Sequence, residues 1–468
     1  MTAIAHLLGD AAFEVTQKGL SDELRRESSR RVLDVIGNCL AATDLPVAEI
    51  IKKVVTAWAG PADSFAIGAG KLPSSSAALL NGTLAHSLDF DDTHLPSVLH
   101  PSASVVSAAL AVGSKLNSKP TDVLDAITFG IEVTCRLGMA GFDRELGNSV
   151  FFERGFHATS ICGTLGSATA AAMLMKLSSD QISSAIGIAA SMGAGLLEAN
   201  RTGGTVKRTH CGWAAHGGVV AAELAQAGLT GPPTVVEGRF GFMQAYCGDQ
   251  VNLNEITDNL GVSWVLPGLF FKPYPCNHFT HAGIDAARLL KTKGITPDQI
   301  ESLDLEVPTP VLRTIAEPRE AKIKPESGYH AAFSGPYTVA AAFYRDNGLG
   351  LFHEDFEDEA AKDPKILALA AKVNVMASAE CDAIYPYQLP AVLTAHLKDG
   401  SSVTEKILVN RGGPQNPLSD AELALKFESN VRTILTPEKA QKVSETIFGF
   451  ATNKYSLNDL SNLIDVLI

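Results

Sequence analysis

The chain has 468 residues, a length prior of roughly three domains at about 150 residues each, with fewer and larger ones permitted. Its formal charge of −13 excludes an ordinary nucleic-acid binder, which needs a basic face to displace condensed counterions, so any acidic ligand must meet a local basic pocket. Seven cysteines without paired spacing fit a reducing, cytoplasmic setting in which thiols pack rather than crosslink.

At the N-terminus a polar helical pattern with Asp10, Glu14 and Lys18, without a basic segment and apolar core, predicts no signal peptide. A charged run, Arg25 to Arg31, precedes the stripe Val32, Leu33, Val35, Ile36, Cys39 and Leu40, which has the helical period. Leu80, Leu84 and Leu88 extend the pattern after Ser74 to Ser76; were the turn to continue, Asp89 and Thr93 would share a side.

The run Asp89-Phe90-Asp91-Asp92-Thr93-His94, followed by His100-Pro101, sets three carboxylates and two imidazoles beside that helix. A solvated loop is one reading. A magnesium motif of paired aspartates is another, but it would need an aspartate where Leu95 stands, so no metal is expected. Pro101 disfavours helix at His100, which places His100 at or before the N-terminus of a helix over 102–116, where exposed amides favour an anion and a neutral imidazole.

Arg154-Gly155-Phe156-His157 introduces the small-residue segments 166–175, 182–197 and 213–227, which read as closely packed inner helices. His157 by itself reads as a helix cap or packed polar group. The most apolar run, 168–175, falls well short of the roughly 20 residues that span a bilayer. The segment 200–215 combines Gly203 and Gly204 with Lys207, Arg208 and His210; Val206 and Arg208 break the spacing of a phosphate-binding loop.

Near residue 265 the character changes. Pro267, Pro273 and Pro275 interrupt the chain around Lys272, and an amphipathic helix follows over 280–290. The segment 300–307 alternates as a half-buried strand, and 373–376 is a second candidate. Tyr337, ahead of an alanine-rich helix, reads as a core aromatic, and the charged segment 352–365 as a surface loop or helix. The clearest local pattern is a hairpin over 392–409, turning through Asp399-Gly400. After Gly412-Gly413-Pro414 helices return over 420–435, 437–448 and 457–467.

Several segments together resemble the MmgE/PrpD family, which includes 2-methylcitrate dehydratases, cis-aconitate decarboxylases and an iminodisuccinate epimerase. They are Asn81 through Thr93 with His100-Pro101-Ser102, then Gly155-Phe156-His157, Gly204 to Lys207, Lys272 to Pro275 with His281, Phe333 to Tyr337, and Gly412 to Leu418. The resemblance implies a mainly α fold: a large all-helical domain from residues 1–265 and 413–468, and a smaller α+β lid domain over 266–412. It further implies a homodimer, with a metal-free and cofactor-free active site between the domains for small di- or tricarboxylates, without nucleic-acid or membrane partners.

By matching motifs, the resemblance puts Asp89, Thr93, His100, His157, Lys207, Lys272 and Tyr337 at the pocket. In this reading Lys207 and Lys272 clamp carboxylates, and His100 and His157 act as base and acid. Asp89 orients one imidazole, while Thr93 and Tyr337 position or relay. The motif set names no subfamily; dehydration of 2-methylcitrate or a similar hydroxy acid is the expected reaction, and the Thr93–His100 loop departs from the animal cis-aconitate decarboxylase pattern by one extra residue. Decarboxylation, epimerisation and a catalytically silent carboxylate-binding scaffold are the alternatives.

Overall fold

The computed structural model describes residues 2–199 and 203–465. The chain is mainly α and divides into two units, Met1–Leu269 with Lys426–Ile468, and Phe270–Leu425. The sequence expectation drew the corresponding limits at 265/266 and 412/413. The second division falls inside the helix Asp420–Val431.

In the first unit, small residues decide how closely the helices approach. The helices Ser74–His86 and His210–Gln226 cross where Gly82 faces Gly212: a Cβ on Gly212 would lie 2.3 Å from the Leu79 carbonyl oxygen. Likewise Pro120–Ala140 and Ala158–Leu174 meet at Gly130 and Gly166, where a Cβ on Gly166 would stand 2.3 Å from the Gly130 carbonyl. Side chains of ordinary size would push these axes apart, so the alanine and glycine content of the segments sets the interaxial distance. The helix Asp22–Ala41 carries the stripe Val32, Leu33, Val35, Ile36, Cys39 and Leu40 fully into the core, and its first turn is capped by Ser21 accepting from the Leu24 amide. All seven cysteines are reduced and buried as packing groups.

Two expectations in this unit need correction. The helix expected over 182–197 is Ser179–Ala189, opened by the Ser178/Gln181 capping box; beyond it Gly195 takes a positive φ and the chain leaves the helix. Nor does the Leu80–Leu84 helix continue to Asp89. It stops at His86, and Asp89 is left-handed with φ 52°, so Asp89 and Thr93 are set by loop geometry instead of helical spacing.

The second unit is built on a four-stranded sheet in the order 373–377, 300–307, 391–397, 402–407. The first pair is parallel and the other two are antiparallel. Leu303, Leu305 and Val307 alternate inward along the inner strand 300–307 after a register shift that also leaves Ile300 buried, and Leu305 lies under both Gly283 and Gly335, the glycines at the starts of the helices His281–Thr292 and Gly335–Tyr344. On the more exposed face, Thr394 bonds Thr404 across the hairpin at 2.9 Å and His396 bonds Asp304 at 3.0 Å. Asp399 closes the hairpin turn by accepting from the Ser401 amide.

The segment 352–365, read as a surface loop or helix, forms two short 3-10 turns, His353–Phe356 and Ala360–Lys362, and is mostly exposed or half-buried, with Phe352, Asp355 and Ala361 turned inward. Asp355 caps this turn by accepting from the Phe352 amide, so a charged residue enters the interior with its hydrogen bond supplied. Among the described residues no helix is long and apolar enough to cross a membrane.

Candidate active site

His86 ends its helix in the interior of the first unit, and its Nδ1 lies 2.8 Å from Asp91 Oδ2 with both side chains almost fully enclosed. The carboxylate accepts, so Nδ1 carries the hydrogen. Asp91 is therefore an imidazole-holding group. Asp89 faces a different partner, Lys207, with Nζ 3.6 Å from Oδ1, and both side chains are about one-fifth exposed.

Asp92 has a structural task. Its Oδ1 accepts from the Ser102 amide and its Oδ2 from the Ser102 hydroxyl at 2.6 Å, capping the helix Ser102–Lys115. Burial pushes its carboxyl up to about 6, while Arg31, 3.8 Å away and itself buried, and the Ser102 hydroxyl pull the other way. The cap fixes the chain immediately after His100.

His100 is half-buried, just before that helix as its sequence position predicts. Its Nδ1 is 2.6 Å from the Asp92 carbonyl oxygen, which can only accept, so Nδ1 bears the hydrogen and Nε2 of the neutral ring presents a lone pair. The Thr93 hydroxyl stands 3.4 Å from the same nitrogen. The backbone of His100 is tied to Thr159, two residues after His157, by an amide-to-hydroxyl bond of 3.2 Å.

His157 is the N-cap residue of Ala158–Leu174, and His210 opens His210–Gln226. Their Nδ1 atoms are 2.9 Å apart. His86 links the imidazoles: its ring centroid is 5.6 Å from that of His100 and 5.6 Å from that of His157. Burial holds His157 well below the usual imidazole range, reinforced by His86, Lys207, His210 and His100 around it. Burial, then His86 and Lys207, hold His210 down to about 4. Burial thus favours the neutral form of both rings. A bound polyanion would reverse the sign of the local field and favour the imidazolium.

The turn Val206–Thr209 carries Lys207, and it follows Gly203 and Gly204, both at positive φ. Asn200, Arg201 and Thr202, the start of this sequence constellation, lie outside the described residues.

Five of the residues named from sequence, Asp89, Thr93, His100, His157 and Lys207, thus belong to the first unit around one imidazole cluster. Lys272 and Tyr337 belong to the second. Lys272 is almost fully buried. Tyr337 is fully buried, with its hydroxyl donating to the Asp355 carbonyl at 2.7 Å, the arrangement of a core aromatic that anchors the 352–356 turn. Nearby in sequence to Lys272, the rings of His278 and His281 meet at a tilt of 49° with centroids 4.7 Å apart, and Tyr274 donates to Asp285.

The sequence assigns no role to His86, names His210 only as a member of the 200–215 segment, and includes Asp91 only as one acid of the 89–94 run. Each sits inside a motif that was noticed, but only folding shows that their nitrogens converge. One donor atom each of His86, Asp91 and Cys211 lies within 4.8 Å of the others. Burial raises the Cys211 thiol well above its ordinary range, the state of a packing group.

The arrangement offers what proton transfer beside a carboxylate needs: imidazoles with fixed hydrogens, a lysine to meet negative charge, and burial that strengthens both. The chain is 30% identical to human (Homo sapiens) cis-aconitate decarboxylase, covering 96% of this chain and 91% of the relative. It is 30% identical to the Mus musculus enzyme of the same name over 91% and 86%, and 25% identical to that of Aspergillus terreus over 96% and 92%. The model of the MmgE/PrpD N-terminal domain matches residues 7–254 and that of the MmgE/PrpD C-terminal domain residues 274–448. With both halves matched, the chain belongs to the MmgE/PrpD family.

Proposed function

We propose that this chain is a carboxy-lyase acting on cis-aconitate or a closely similar small tricarboxylate. The observation that carries the reading is the imidazole cluster His86, His100, His157 and His210 beside the Lys207–Asp89 pair, in a chain that aligns over nearly its whole length with cis-aconitate decarboxylases. This alignment moves decarboxylation ahead of the dehydration that the motifs first suggested. Dehydration of 2-methylcitrate is the second reading, supported by the same proton-transfer groups.

In the proposed reaction the bond between the methylene carbon and its carboxylate breaks and carbon dioxide leaves. The electron pair passes into the adjacent double bond, and a proton is delivered to the former vinylic carbon beside a remaining carboxylate. Lys207 and Lys272 bind carboxylates and meet the charge that develops there. Asp89 keeps Lys207 in place, and Asp92 and Thr93 fix His100. His100 and His157 take up a proton with the anionic substrate and supply it to carbon. Tyr337 positions the turn at Asp355 in this reading. The first unit corresponds to the helical domain, the second to an α+β lid, and the protein is a homodimer.

The test is incubation of the purified protein in deuterium oxide with cis-aconitate, 2-methylcitrate or iminodisuccinate, followed by NMR and carbon dioxide release. Decarboxylation of cis-aconitate should place one deuterium on the carbon beside the retained carboxylate. Water loss from 2-methylcitrate without any carbon dioxide from cis-aconitate would favour the second reading, and exchange at iminodisuccinate alone would make the chain an epimerase. No turnover and no exchange would leave a carboxylate-binding protein.

A further inference from the structure

Each of the four clustered imidazoles, His86, His100, His157 and His210, presents Nδ1 to a neighbour. His100 donates to the Asp92 carbonyl at 2.6 Å and His86 to the Asp91 carboxylate at 2.8 Å, so in both the hydrogen on Nδ1 is dictated by a partner that can only accept. For His157 the partner is another imidazole: Nδ1 to Nδ1, 2.9 Å. Two bare nitrogens would repel there, and two N–H groups would clash. One ring must donate and the other accept.

Only one of the two assignments keeps the bond when His157 gains a proton at Nε2. If His157 donates from Nδ1 and His210 accepts, Nε2 of His157 is bare in the neutral ring, and protonation there leaves the Nδ1 hydrogen bond intact. In the opposite assignment the Nε2 of His157 already carries hydrogen and the ring has no free position for another. We propose that His210 is a positioning residue, whose bare Nδ1 accepts from His157 and so keeps Nε2 of His157 as the proton-carrying atom. This assignment rests on the proton-transfer reading of the site.

The surroundings are built to keep the two rings together. The His157 amide donates to the Gly195 carbonyl at 3.0 Å, and Leu197 returns a bond to Gly155. Gly195 has φ 149°, and a Cβ there would stand 3.3 Å from His157 Cβ and 3.4 Å from His210 Nδ1. Its missing side chain is what lets this segment lie against the pair. Phe152 meets the His157 ring edge-on at 6.3 Å, and the Ser160 hydroxyl donates to the His210 carbonyl at 2.9 Å. The charged or titratable groups facing His157 are His86, His100, His210 and Lys207.

Long-range nitrogen–proton NMR of the 15N-histidine-labelled full chain reads each tautomer without substrate. The expected result is hydrogen on Nδ1 and a bare Nε2 for His157, and the reverse for His210. Hydrogen on Nε2 of His157 with a bare Nδ1 would overturn the proposal. In kinetics, His210→Ala should lower kcat on cis-aconitate by about 100-fold with KM within about threefold, while His210→Asn, whose amide oxygen can accept near the lost Nδ1, should recover to within about tenfold of the wild type. Equal losses in the folded Ala and Asn variants, or none in either, would also count against it. If the protein turned over no carboxylate, the reaction reading would fall, and the NMR tautomers would still decide the assignment of the pair.

Discussion

At the residue scale, the site separates residues that touch charge from residues that hold geometry. Lys207 stands against Asp89 beside the imidazole cluster, so in the proposed reading its replacement removes a substrate contact as well as that pair. The Lys207→Ala variant should lose about 100-fold or more in kcat/KM on cis-aconitate, since a charge-stabilising group is lost from a half-buried site, and steady-state kinetics checks this. The native fold should survive, because the pair is partly exposed. Wild-type kinetics in the variant would place the carboxylate site elsewhere.

His94 allows a cleaner test of burial. It is enclosed, bonded to Ser97 at 2.7 Å, and burial holds it down to about 3. The unfolded chain takes up this proton near pH 6.5 and the native state only near 3, so the native state loses stability as pH falls through that window. The stability difference between wild type and His94→Asn should therefore shift against the wild type by up to about 1.4 kcal/mol per pH unit on descending from 6.5. Urea unfolding at several pH values measures it, and a flat difference would mean that the ring titrates normally. Asp92, raised to about 6, works with the opposite sign, which is why the comparison uses a variant that removes only His94.

At the element scale, the close helix crossings have a direct consequence. A Cβ on Gly166 would stand 1.9 Å from Thr134 Oγ1 as well as 2.3 Å from the Gly130 carbonyl, so Gly166→Ala cannot be absorbed without moving a helix. The expected cost is about 1–3 kcal/mol, the range of overpacking, read as a lower denaturation midpoint. Gly228, also in the first unit, has open space around its Cβ direction but φ 101°, so substitution there is opposed by backbone conformation alone. Much of this level was legible in advance. The stripe from Val32 to Leu40, the 300–307 strand and the 399–400 turn each rest on local periodicity or local turn chemistry, which neighbours in sequence report directly. The end of the helix at Ala189 was less legible, because the run through Leu197 remains apolar and its departure is needed to bring Gly195 against His157.

At the scale of the whole molecule, membership in the MmgE/PrpD family follows from matches over both halves of the chain. The proposed homodimer predicts a sedimentation-equilibrium mass twice that of the chain at micromolar concentration. A monomer mass across that range would remove the dimer from the proposal.

The sequence by itself determined the helical character, the change of character near residue 265, the family, and which lysines and histidines are chemically costly enough to notice. All of these are carried by short-range pattern or by ordered motifs. The tertiary structure decided which carboxylate meets which cation or imidazole. Asp89 faces Lys207, Asp91 holds His86, and Asp92 caps a helix, three fates for acids separated by no more than a few residues. It also decided that His157 meets His210 across 53 positions of chain. Hydrogen bonds depend on distances of tenths of an ångström between atoms brought together by packing, and residue order along the chain does not specify those distances.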